Sequence, residues 1–520
     1  MSAFKNKLKI EKFEDYIFFL FLVLYTSFLL FISNRMVIGE DEAYTLSTTS
    51  FSLLKVIKLS YSFEGQPPVY FVIISIWRLI NNSLFFARIL SLLFTLLSAF
   101  VLDKLVYLIS KKIYSRWIIV LFLLNPFTVW ASIEVRLYSM LILISTTTIY
   151  LFYLIYFQDH KKYKFFFFLV ELLGIYTQYY FVFLIISLSI LLLLAKGWRH
   201  FFNFCLFAIP LAILFLPNLS FIKDQFEMHN NTQISHTLFQ TSRAIFSTPF
   251  YFFVSSGDLT NGRNWAWIMR IIFIILFVIS VYQFQRAYKN KKNQDFIKII
   301  GILVPTVIIL LIMLLVYGFS NLIYDYKYMT IAFPIYCLLY GIFNILDHNL
   351  KNYIYGFFCF FFIVVLINTY KSPYIKIVDF KSIVEFTQRT EYENEPILFH
   401  CKTIVLKFKY YYKGNNSLNP LPPLKFDYNY YNDDLKDTIE LDQSIKNVYK
   451  NSKTVLLITG NDMGFTKKMQ LTNEMINRYI NNNYIVQIDT TFKGKIIDDN
   501  IRVRRLFDKK ITNHNNKQEF

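Results

Sequence analysis

Two adjacent carboxylates, Asp41 and Glu42, follow directly on the first apolar stretch that is long enough to cross a membrane (16–34). Asp and Glu are costly to bury in hydrocarbon, so at a membrane boundary they indicate either a solvated helix cap or a polar reaction site. A cap is the simpler interpretation, because acidic side chains favour the positive end of a helix dipole. In a reaction site, such a carboxylate could take a proton from a hydroxyl group.

Further polar side chains fall on the same predicted side of the membrane, on the first loop or at the outer ends of apolar stretches. They are Glu64, Gln66, Arg88, Glu134, Arg136, Tyr138, Gln178 and Lys327. Ionisable groups at such positions are functional candidates, and this mixture suits a catalytic carboxylate with a cationic clamp for an anionic lipid headgroup. Structural alternatives stay open, because Glu134 could pair with Arg136, Arg88 could snorkel and Lys327 could contact lipid phosphates nonspecifically.

Composition identifies the chain as a polytopic membrane protein, since 55% of its residues are hydrophobic and 17% are charged. The formal charge of +19 therefore belongs to membrane-flanking loops, and we expect contact with membrane lipids and no nucleic-acid partner. No cleavage site follows the basic segment 1–15, so the first apolar stretch is predicted to be a retained anchor. The four cysteines lack zinc-ligand spacing; no metal or cofactor is expected, although acidic side chains such as Asp41, Glu42 and Glu64 leave a divalent cation possible.

Apolar stretches near 20 residues long predict about eleven transmembrane spans. They lie at 16–34, 84–108, 117–133, 138–156, 165–178, 180–195, 201–217, 265–285, 299–317, 328–346 and 353–370. Lys and Arg concentrate in alternate loops, which places the N-terminus in the cytoplasm and the segment after residue 373 outside. Two shorter apolar stretches in the first external loop, 51–59 and 68–80, are predicted to be interfacial helices.

The chain is predicted to have two domains. Residues 1–373 form the membrane domain, whose first external loop (35–83) carries the candidate carboxylates. Residues 374–520 are richer in Asn, Lys, Asp and Tyr, and short apolar strands alternate there with helical patterns. We therefore expect an external α/β domain, with a long loop at 413–432.

The order of short motifs along the chain resembles that of the GT-C membrane glycosyltransferases. The motifs are DEAYT at 41–45, QPPVY at 66–70, FARILS at 86–91, NPF at 125–127, EVRLY at 134–138, YTQY at 176–179, YKY at 326–328 followed by Pro334, DFK at 379–381 and YYYKG at 410–414. Within that fold, the chain is similar to bacterial relatives of protein O-mannosyltransferases. This group includes aminoarabinose transferases and the galacturonosyl transferases of lipopolysaccharide core.

The resemblance implies an inverting enzyme that moves a sugar from a polyprenyl-phosphate donor to a glycan, lipid or protein hydroxyl. It implies a reaction on the outer face of a bacterial cytoplasmic membrane, for cell-envelope biosynthesis. Asp41 would be the base, with Glu42 beside it in an orienting or cation-holding role.

The same resemblance assigns the donor phosphate to Arg136, Tyr138 and Lys327, with Arg88 as a further candidate. Substrate positioning would fall to Glu64, Gln66, Glu134 and Gln178, and the external domain would cover the site and contact the acceptor. Three positions depart from the family pattern: Gln66 and Gln178 replace residues that are often basic or His, and Lys327 replaces Arg. Because Lys lacks the bidentate fork of Arg, donor binding here is expected to differ.

Two other classes of protein remain as alternatives. A transporter or flippase of lipid-linked sugars would also place polar groups in membrane spans, although usually near the midplane and in repeated halves. A non-catalytic membrane assembly protein would leave Asp41 and Glu42 as a helix cap.

The charge pattern predicts the orientation of the chain, which labelling can test. In intact cells, a cysteine introduced in the loop 286–298 should resist a membrane-impermeant thiol reagent, because that loop is predicted to be cytoplasmic. A reporter that is active only outside the cytoplasm should be active when fused after Phe520. Labelling of the 286–298 cysteine in intact cells would contradict the span count.

Overall fold

The computed structural model describes residues 2–109, 116–230, 237–253, 293–318, 325–339, 348–370, 378–400, 402–421, 438–449, 452–460, 467–494 and 500–509. The chain divides into two compact units. The membrane unit comprises Met1–Asn34, Ser52–Tyr61 and Gly65–Lys371. The carboxy-terminal unit comprises Arg35–Phe51, Ser62–Glu64 and Ser372–Phe520.

Helices account for most of the described chain. In order they are α1 (Ser2–Arg35), α2 (Glu40–Thr48), α3 (Leu53–Ser62), α4 (Val69–Arg78), α5 (Leu84–Ile109), α6 (Trp117–Leu124), α7 (Pro126–Ser132), α8 (Tyr138–Tyr156), α9 (Lys164–Ile175), α10 (Phe181–Lys196), α11 (Trp198–Phe215), α12 (Asn218–Asn230), α13 (Leu238–Phe253), α14 (Asn293–Gly318), α15 (Phe333–Leu339), α16 (His348–Tyr370), α17 (Phe380–Thr387), α18 (Lys402–Tyr411), α19 (Thr438–Tyr449) and α20 (Lys467–Asn483). Short 3₁₀ segments lie at Lys161–Tyr163, Tyr326–Ala332 and Thr390–Tyr392.

Four described helical segments are long and apolar enough to cross a membrane: Asp15–Arg35, Leu84–Ile109, Tyr138–Tyr156 and Trp198–Phe215. Each coincides with a predicted span. The other predicted spans are mostly helical where the structure describes them. The exceptions are 117–133, which is interrupted, 165–178, whose helix ends at Ile175, and 328–346, which begins as a 3₁₀ segment; 265–285 lies outside the described residues. The count of eleven spans therefore stays a prediction, as does an interfacial location for α3 and α4.

The predicted span 117–133 is interrupted at Asn125, which separates α6 from α7. Asn125 has extended backbone angles, and its side-chain oxygen accepts the Phe127 N–H at 2.8 Å. Pro126 occupies the first position of α7, where a missing N–H costs nothing because it would have no partner within the helix. After α7, residues 133–137 are not helical, so backbone N–H and C=O groups become available beside the candidate residues 134–138.

Small polar side chains join the helices of the membrane unit. The Ser132 hydroxyl on α7 donates to the Thr95 hydroxyl on α5 at 3.1 Å. On α5, Arg88 is fully buried and its Nη1 donates to the Ser33 carbonyl oxygen, in the last turn of α1, at 2.7 Å. Such contacts supply specificity in a membrane, where helix packing gains no hydrophobic driving force.

The carboxy-terminal unit contains a five-stranded sheet in the order β2-β1-β3-β5-β4. Its strands are β1 (Ile397–His400), β2 (Leu418–Leu421), β3 (Thr454–Thr459), β4 (Tyr484–Phe492) and β5 (Ile501–Asp508). β1 pairs in parallel with β2 and β3, whereas β5 runs antiparallel to both β3 and β4. The predicted α/β character of this region is therefore confirmed.

Strand β2 corrects one prediction, because it lies within the stretch 413–432 that the sequence predicts to be a loop. Its sequence contains Pro420, and proline is tolerated in a strand mainly at a sheet edge, where β2 lies. Asn and Pro in and around this strand are typical of turns, so the sequence pattern does not indicate the four residues that pair with β1. Residues 422–432 lie outside the described chain.

Helix α2, which carries Asp41 and Glu42, belongs to the carboxy-terminal unit and packs against α18. The sequence pattern assigns the whole loop 35–83 to the membrane domain, whereas the structure groups 35–51 and 62–64 with the sheet domain. The sequence groups this loop with the membrane domain because it follows the first span. In the structure, α2 instead contacts residues of α18 that are more than 350 positions away in the chain.

Gly174 near the end of α9 provides a test of the packing. A Cβ at this position would lie under 3.0 Å from three ring carbons of the fully buried Phe181, whereas a Cβ at Gly356 on α16 would meet nothing within 4 Å. We expect Gly174→Ala to destabilise the protein by about 1–3 kcal/mol through overpacking. Thermal unfolding in detergent measures this effect.

The matched control is Gly356→Ala, which should leave the melting temperature unchanged or raise it, because Ala favours a helix by up to about 1 kcal/mol over Gly. Equal melting temperatures for the two variants would contradict the close packing of α9 against the start of α10.

Candidate active site

The first turn of α2 presents the paired carboxylates. Gly39 precedes the helix, and its N–H donates to Oε2 of Glu42 at 2.8 Å. Glu42 is fully buried, so this bond satisfies a carboxylate that burial would otherwise penalise. Glu42 therefore makes the contact that the capping interpretation predicts. Asp41 lies in the same turn and is half-buried.

Two further acidic side chains hold α2 in place within the carboxy-terminal unit. The Tyr44 hydroxyl donates to Oε1 of Glu40 at 2.7 Å, within the helix. The Thr48 hydroxyl, in the last turn, donates to Oε1 of Glu64 at 2.9 Å. Glu64, a predicted positioning residue, therefore contacts the end of α2 distant from Asp41.

Gln66 lies in the membrane unit, after a turn at Gly65 that has a positive φ of 64°. Its N–H donates to the Ser60 carbonyl oxygen at 2.8 Å, which closes the turn between α3 and α4. Its side-chain Oε1 is buried without a hydrogen-bond partner among the described residues. An unsatisfied buried acceptor is costly, and a bound hydroxyl group could satisfy it.

Trp130 connects two of the predicted phosphate-binding residues. Its ring lies against that of Tyr138, with centroids 5.0 Å apart, and Nζ of Lys327 lies 5.6 Å from the Trp130 ring centroid. We call Trp130, Tyr138 and Lys327 the cation–aromatic cluster. Lys327 is far from Trp130 and Tyr138 in the sequence. Only the packing of α7 and α8 with the 3₁₀ segment Tyr326–Ala332 brings the cluster together.

Asp325 sets the position of Lys327. Its Oδ1 accepts the Lys327 N–H at 2.9 Å, which starts the 3₁₀ segment, and its Oδ2 lies 3.8 Å from Nζ of the same lysine. The Lys327 side chain remains 24% exposed, so this ion pair does not enclose the ammonium group. An ammonium group carries three N–H donors, and the exposed part of the Lys327 side chain is within reach of an anionic ligand.

Tyrosine side chains link the segment of Gln178 to that of Lys327. The ring centroids of Tyr180 and Tyr328 are 4.8 Å apart. The Tyr317 hydroxyl donates a hydrogen bond to the Tyr180 hydroxyl. Gln178 is buried, and its Oε1 has no hydrogen-bond partner among the described residues. The motifs YTQY and YKY are thus neighbours in the fold.

Glu134 and Arg136 lie in the non-helical segment between α7 and α8, and both are buried. The Ser91 hydroxyl of α5 donates to the Glu134 carbonyl oxygen at 2.6 Å, which fixes the segment to the helix that also carries Arg88. Arg88 commits one guanidinium N–H to the Ser33 carbonyl oxygen. That bond gives Arg88 a structural contact at the end of α1, and its role toward a phosphate stays a prediction.

The cation–aromatic cluster can bind a ligand that carries an anionic group beside an apolar or sugar group. A cationic ammonium and a phenol hydroxyl supply hydrogen-bond donors, and the Trp130 face supplies a stacking surface. The sequence analysis misses Trp130, Tyr180, Tyr317 and Asp325. The aromatic residues among them lie within or beside the motifs. Because 19% of the chain is aromatic, this position alone does not distinguish them from other aromatic residues.

Among the described residues, no group of three or more His, Cys, Asp or Glu side chains is placed to hold a metal ion. The expectation of a metal-independent site stays a prediction.

Comparison with known proteins supports the fold. No protein-family model and no curated protein matches the sequence. The chain is similar in structure to "ArnT from Cupriavidus metallidurans in the apo state", with a TM-score of 0.57 and 12% identity over 94% of this chain and 97% of that one. ArnT from the same organism, bound to undecaprenyl phosphate, gives a TM-score of 0.50 and 12% identity over 93% and 98%.

At such low identity the likeness concerns the fold alone. The match covers 94% of this chain and supports the GT-C fold that the motif order predicts. The narrower subfamily stays a prediction.

Proposed function

We propose that this chain is an inverting glycosyltransferase of the GT-C type, which transfers a sugar from a polyprenyl-phosphate donor to an acceptor hydroxyl. The observation that carries the proposal is the cation–aromatic cluster, which places an ammonium group, a phenol and an indole face together within this fold. Undecaprenyl phosphate, the ligand of ArnT in one of the similar structures, is a lipid of the class that such a cluster would bind.

The donor side of the reaction requires stabilisation of negative charge. As the bond between the anomeric carbon and the phosphate oxygen breaks, the electron pair stays on the departing lipid phosphate. Lys327 and Arg136 would offset this charge, and the Tyr138 hydroxyl would donate a hydrogen bond to it. The same charges would do far less in water, so the burial of Arg136 increases its effect.

The acceptor side requires a base. The acceptor oxygen forms its bond to the anomeric carbon while its proton passes to a carboxylate, for which we assign Asp41. Glu42 suits this task less well, because its carboxylate holds the Gly39 N–H. In this proposal Glu42 fixes the turn that presents Asp41.

The remaining candidates would position substrates. Gln66 and Gln178 carry buried amide oxygens that can accept hydrogen bonds from sugar hydroxyls. Glu64 accepts a hydrogen bond from Thr48 at the end of α2, and the Glu134 carbonyl oxygen accepts one from Ser91. The reaction needs no metal ion, since side-chain cations take the charge of the phosphate. By charge pattern, the N-terminus would be cytoplasmic and the sheet domain external, at the cytoplasmic membrane of a bacterium.

Transfer of label tests the proposal. Purified protein in lipid nanodiscs would be incubated with polyprenyl phosphates that carry radiolabelled sugars, together with a membrane extract as the source of acceptor. A labelled product other than free sugar, formed together with free polyprenyl phosphate, is the expected result. Binding or flipping of the lipid without any transfer would favour the transporter alternative.

Asp41→Asn should lower the turnover number by about 10²-fold or more, because Asn keeps the shape of Asp but cannot accept the proton. The matched control is Asp159→Asn, which makes the same change at an exposed site with a φ of 57°, a conformation that Asn tolerates. Single-turnover transfer measures both variants. A wild-type rate for Asp41→Asn would remove Asp41 as the base.

Lys327→Met and Arg136→Gln should each cost about 1–3 kcal/mol of transition-state stabilisation, seen as a loss of roughly 5- to 150-fold in kcat/KM for the donor. Lys58→Met, an exposed lysine on α3, is the control and should have no effect. Unchanged donor kinetics in both variants would move the phosphate clamp elsewhere, with Arg88 as the next candidate.

A further inference from the structure

The helix that presents Asp41 depends on other parts of the carboxy-terminal unit for its position. Helix α2 has nine residues, and a helix of this length is marginal in water without tertiary contacts. Its last turn is held by the Thr48–Glu64 hydrogen bond. In the middle of the helix, the Tyr44 ring packs edge-on against Phe63, with ring centroids 5.6 Å apart. The first turn, where Asp41 lies, has different partners.

Those partners are on α18. Nζ of Lys407 lies 3.6 Å from Oε2 of Glu40, the first residue of α2. The Tyr411 hydroxyl accepts the Ile38 N–H at 2.9 Å, two residues before the helix begins. The two contacts therefore bracket the entry to α2, within three residues of Asp41.

Lys407 and Tyr411 are four residues apart on α18 and so lie on one face of that helix. The same helix is fixed in the domain core, where Ile404, Val405 and Phe408 are buried in the cluster that covers one face of the sheet. The position of the Lys407 and Tyr411 side chains is therefore tied to the sheet.

The Lys407 side chain is only 5% exposed, whereas that of Glu40 is 36% exposed. A buried ammonium group is expensive unless it is paired, and Lys407 has the Glu40 carboxylate on one side and the Phe380 ring, at 5.0 Å, on the other. Surface ion pairs contribute little to stability, whereas removing one partner of a buried charge is strongly destabilising. This lysine is thus placed to determine where α2 begins.

We propose that Lys407 and Tyr411 are positioning residues for the reaction, through which the sheet domain sets the location of the Asp41 carboxylate. This inference rests on the proposed function, and it gives the domain a role in the chemical step beyond contact with the acceptor. A displacement of about 1 Å in a reacting group can cost on the order of 10²-fold in rate. Loss of either contact should therefore lower kcat and leave the KM for the lipid donor unchanged.

The test compares Lys407→Met, Tyr411→Phe and the control Lys409→Met in the full-length protein. Lys409 lies on the same helix but is exposed. Hydrogen–deuterium exchange of the segment 36–48 should increase in Lys407→Met and Tyr411→Phe and stay at the wild-type level in Lys409→Met. This readout does not depend on activity, so it stands even where no sugar transfer is found.

With an active donor in hand, kcat should fall by about 10-fold or more in Lys407→Met and by a smaller factor in Tyr411→Phe, with donor KM within twofold of wild type. Glu40→Gln combined with Lys407→Met should be no slower than Lys407→Met alone. The exchanged pair Glu40→Lys with Lys407→Glu should recover part of the lost kcat. Tyr411→Phe, which removes a single oxygen, keeps the test valid where Lys407→Met does not fold.

The outcomes separate the two proposals. Wild-type exchange in 36–48 for folded Lys407→Met and Tyr411→Phe overturns the positioning role, whatever the activity of the protein. Increased exchange with unchanged kcat overturns it as well, because the contacts would then be structural only. Increased exchange in a protein that transfers no sugar leaves the contacts established and counts against the proposed function alone.

Discussion

Burial of a charged side chain costs several kcal/mol unless a polar or aromatic partner accompanies it, and this constraint determines where the ionic groups of this apolar chain lie. Arg88 is fully buried and donates to the Ser33 carbonyl oxygen, which joins α5 to the end of α1. Lys407 is buried beside Glu40 and joins α18 to the start of α2. Each buried cation thus connects segments that are distant in sequence, and the connection fixes a helix end.

Interrupted helices are the second feature on which the candidate site depends. A continuous helix through 117–133 would pair its backbone N–H and C=O groups within the helix, and none of them would be available to a ligand. Asn125 and Pro126 stop α6 and restart it as α7, and the chain then leaves helical geometry again at 133–137. Trp130 lies between these two breaks, which is why a residue of an apolar helix can contact Tyr138 and Lys327.

The carboxylates of the first loop illustrate how one sequence pattern can serve two purposes. Glu42 caps its own helix, as an acidic residue at the third position of a helix commonly does. Asp41, one residue earlier, keeps partial access to solvent in the same turn. The cap that Glu42 forms is thus compatible with the role proposed for Asp41, which lies in the same turn.

The sequence by itself determines the class of this protein and most of its elements. Apolar stretches of membrane length predict α5 and α8 within one residue of their bounds. The reason is that the thickness of the hydrocarbon core sets how many consecutive apolar residues a spanning helix needs. Alternation of short apolar strands with helical patterns likewise predicts an α/β domain after residue 373, where the structure has a five-stranded sheet. Motif order predicts the GT-C fold, which the structural likeness to ArnT confirms.

Tertiary structure decides which of these elements meet. The apolar pattern of β2 is too short, and too rich in turn formers, to be recognised without the neighbouring strand that pairs with it. The aromatic partner of Lys327 and the carboxylate partner of Lys407 cannot be identified from the sequence, since nothing local marks Trp130 or Glu40 as their neighbours. Local propensity acts over a few residues, whereas a charged group finds its partner by packing across the whole unit, and only the folded chain brings those residues together.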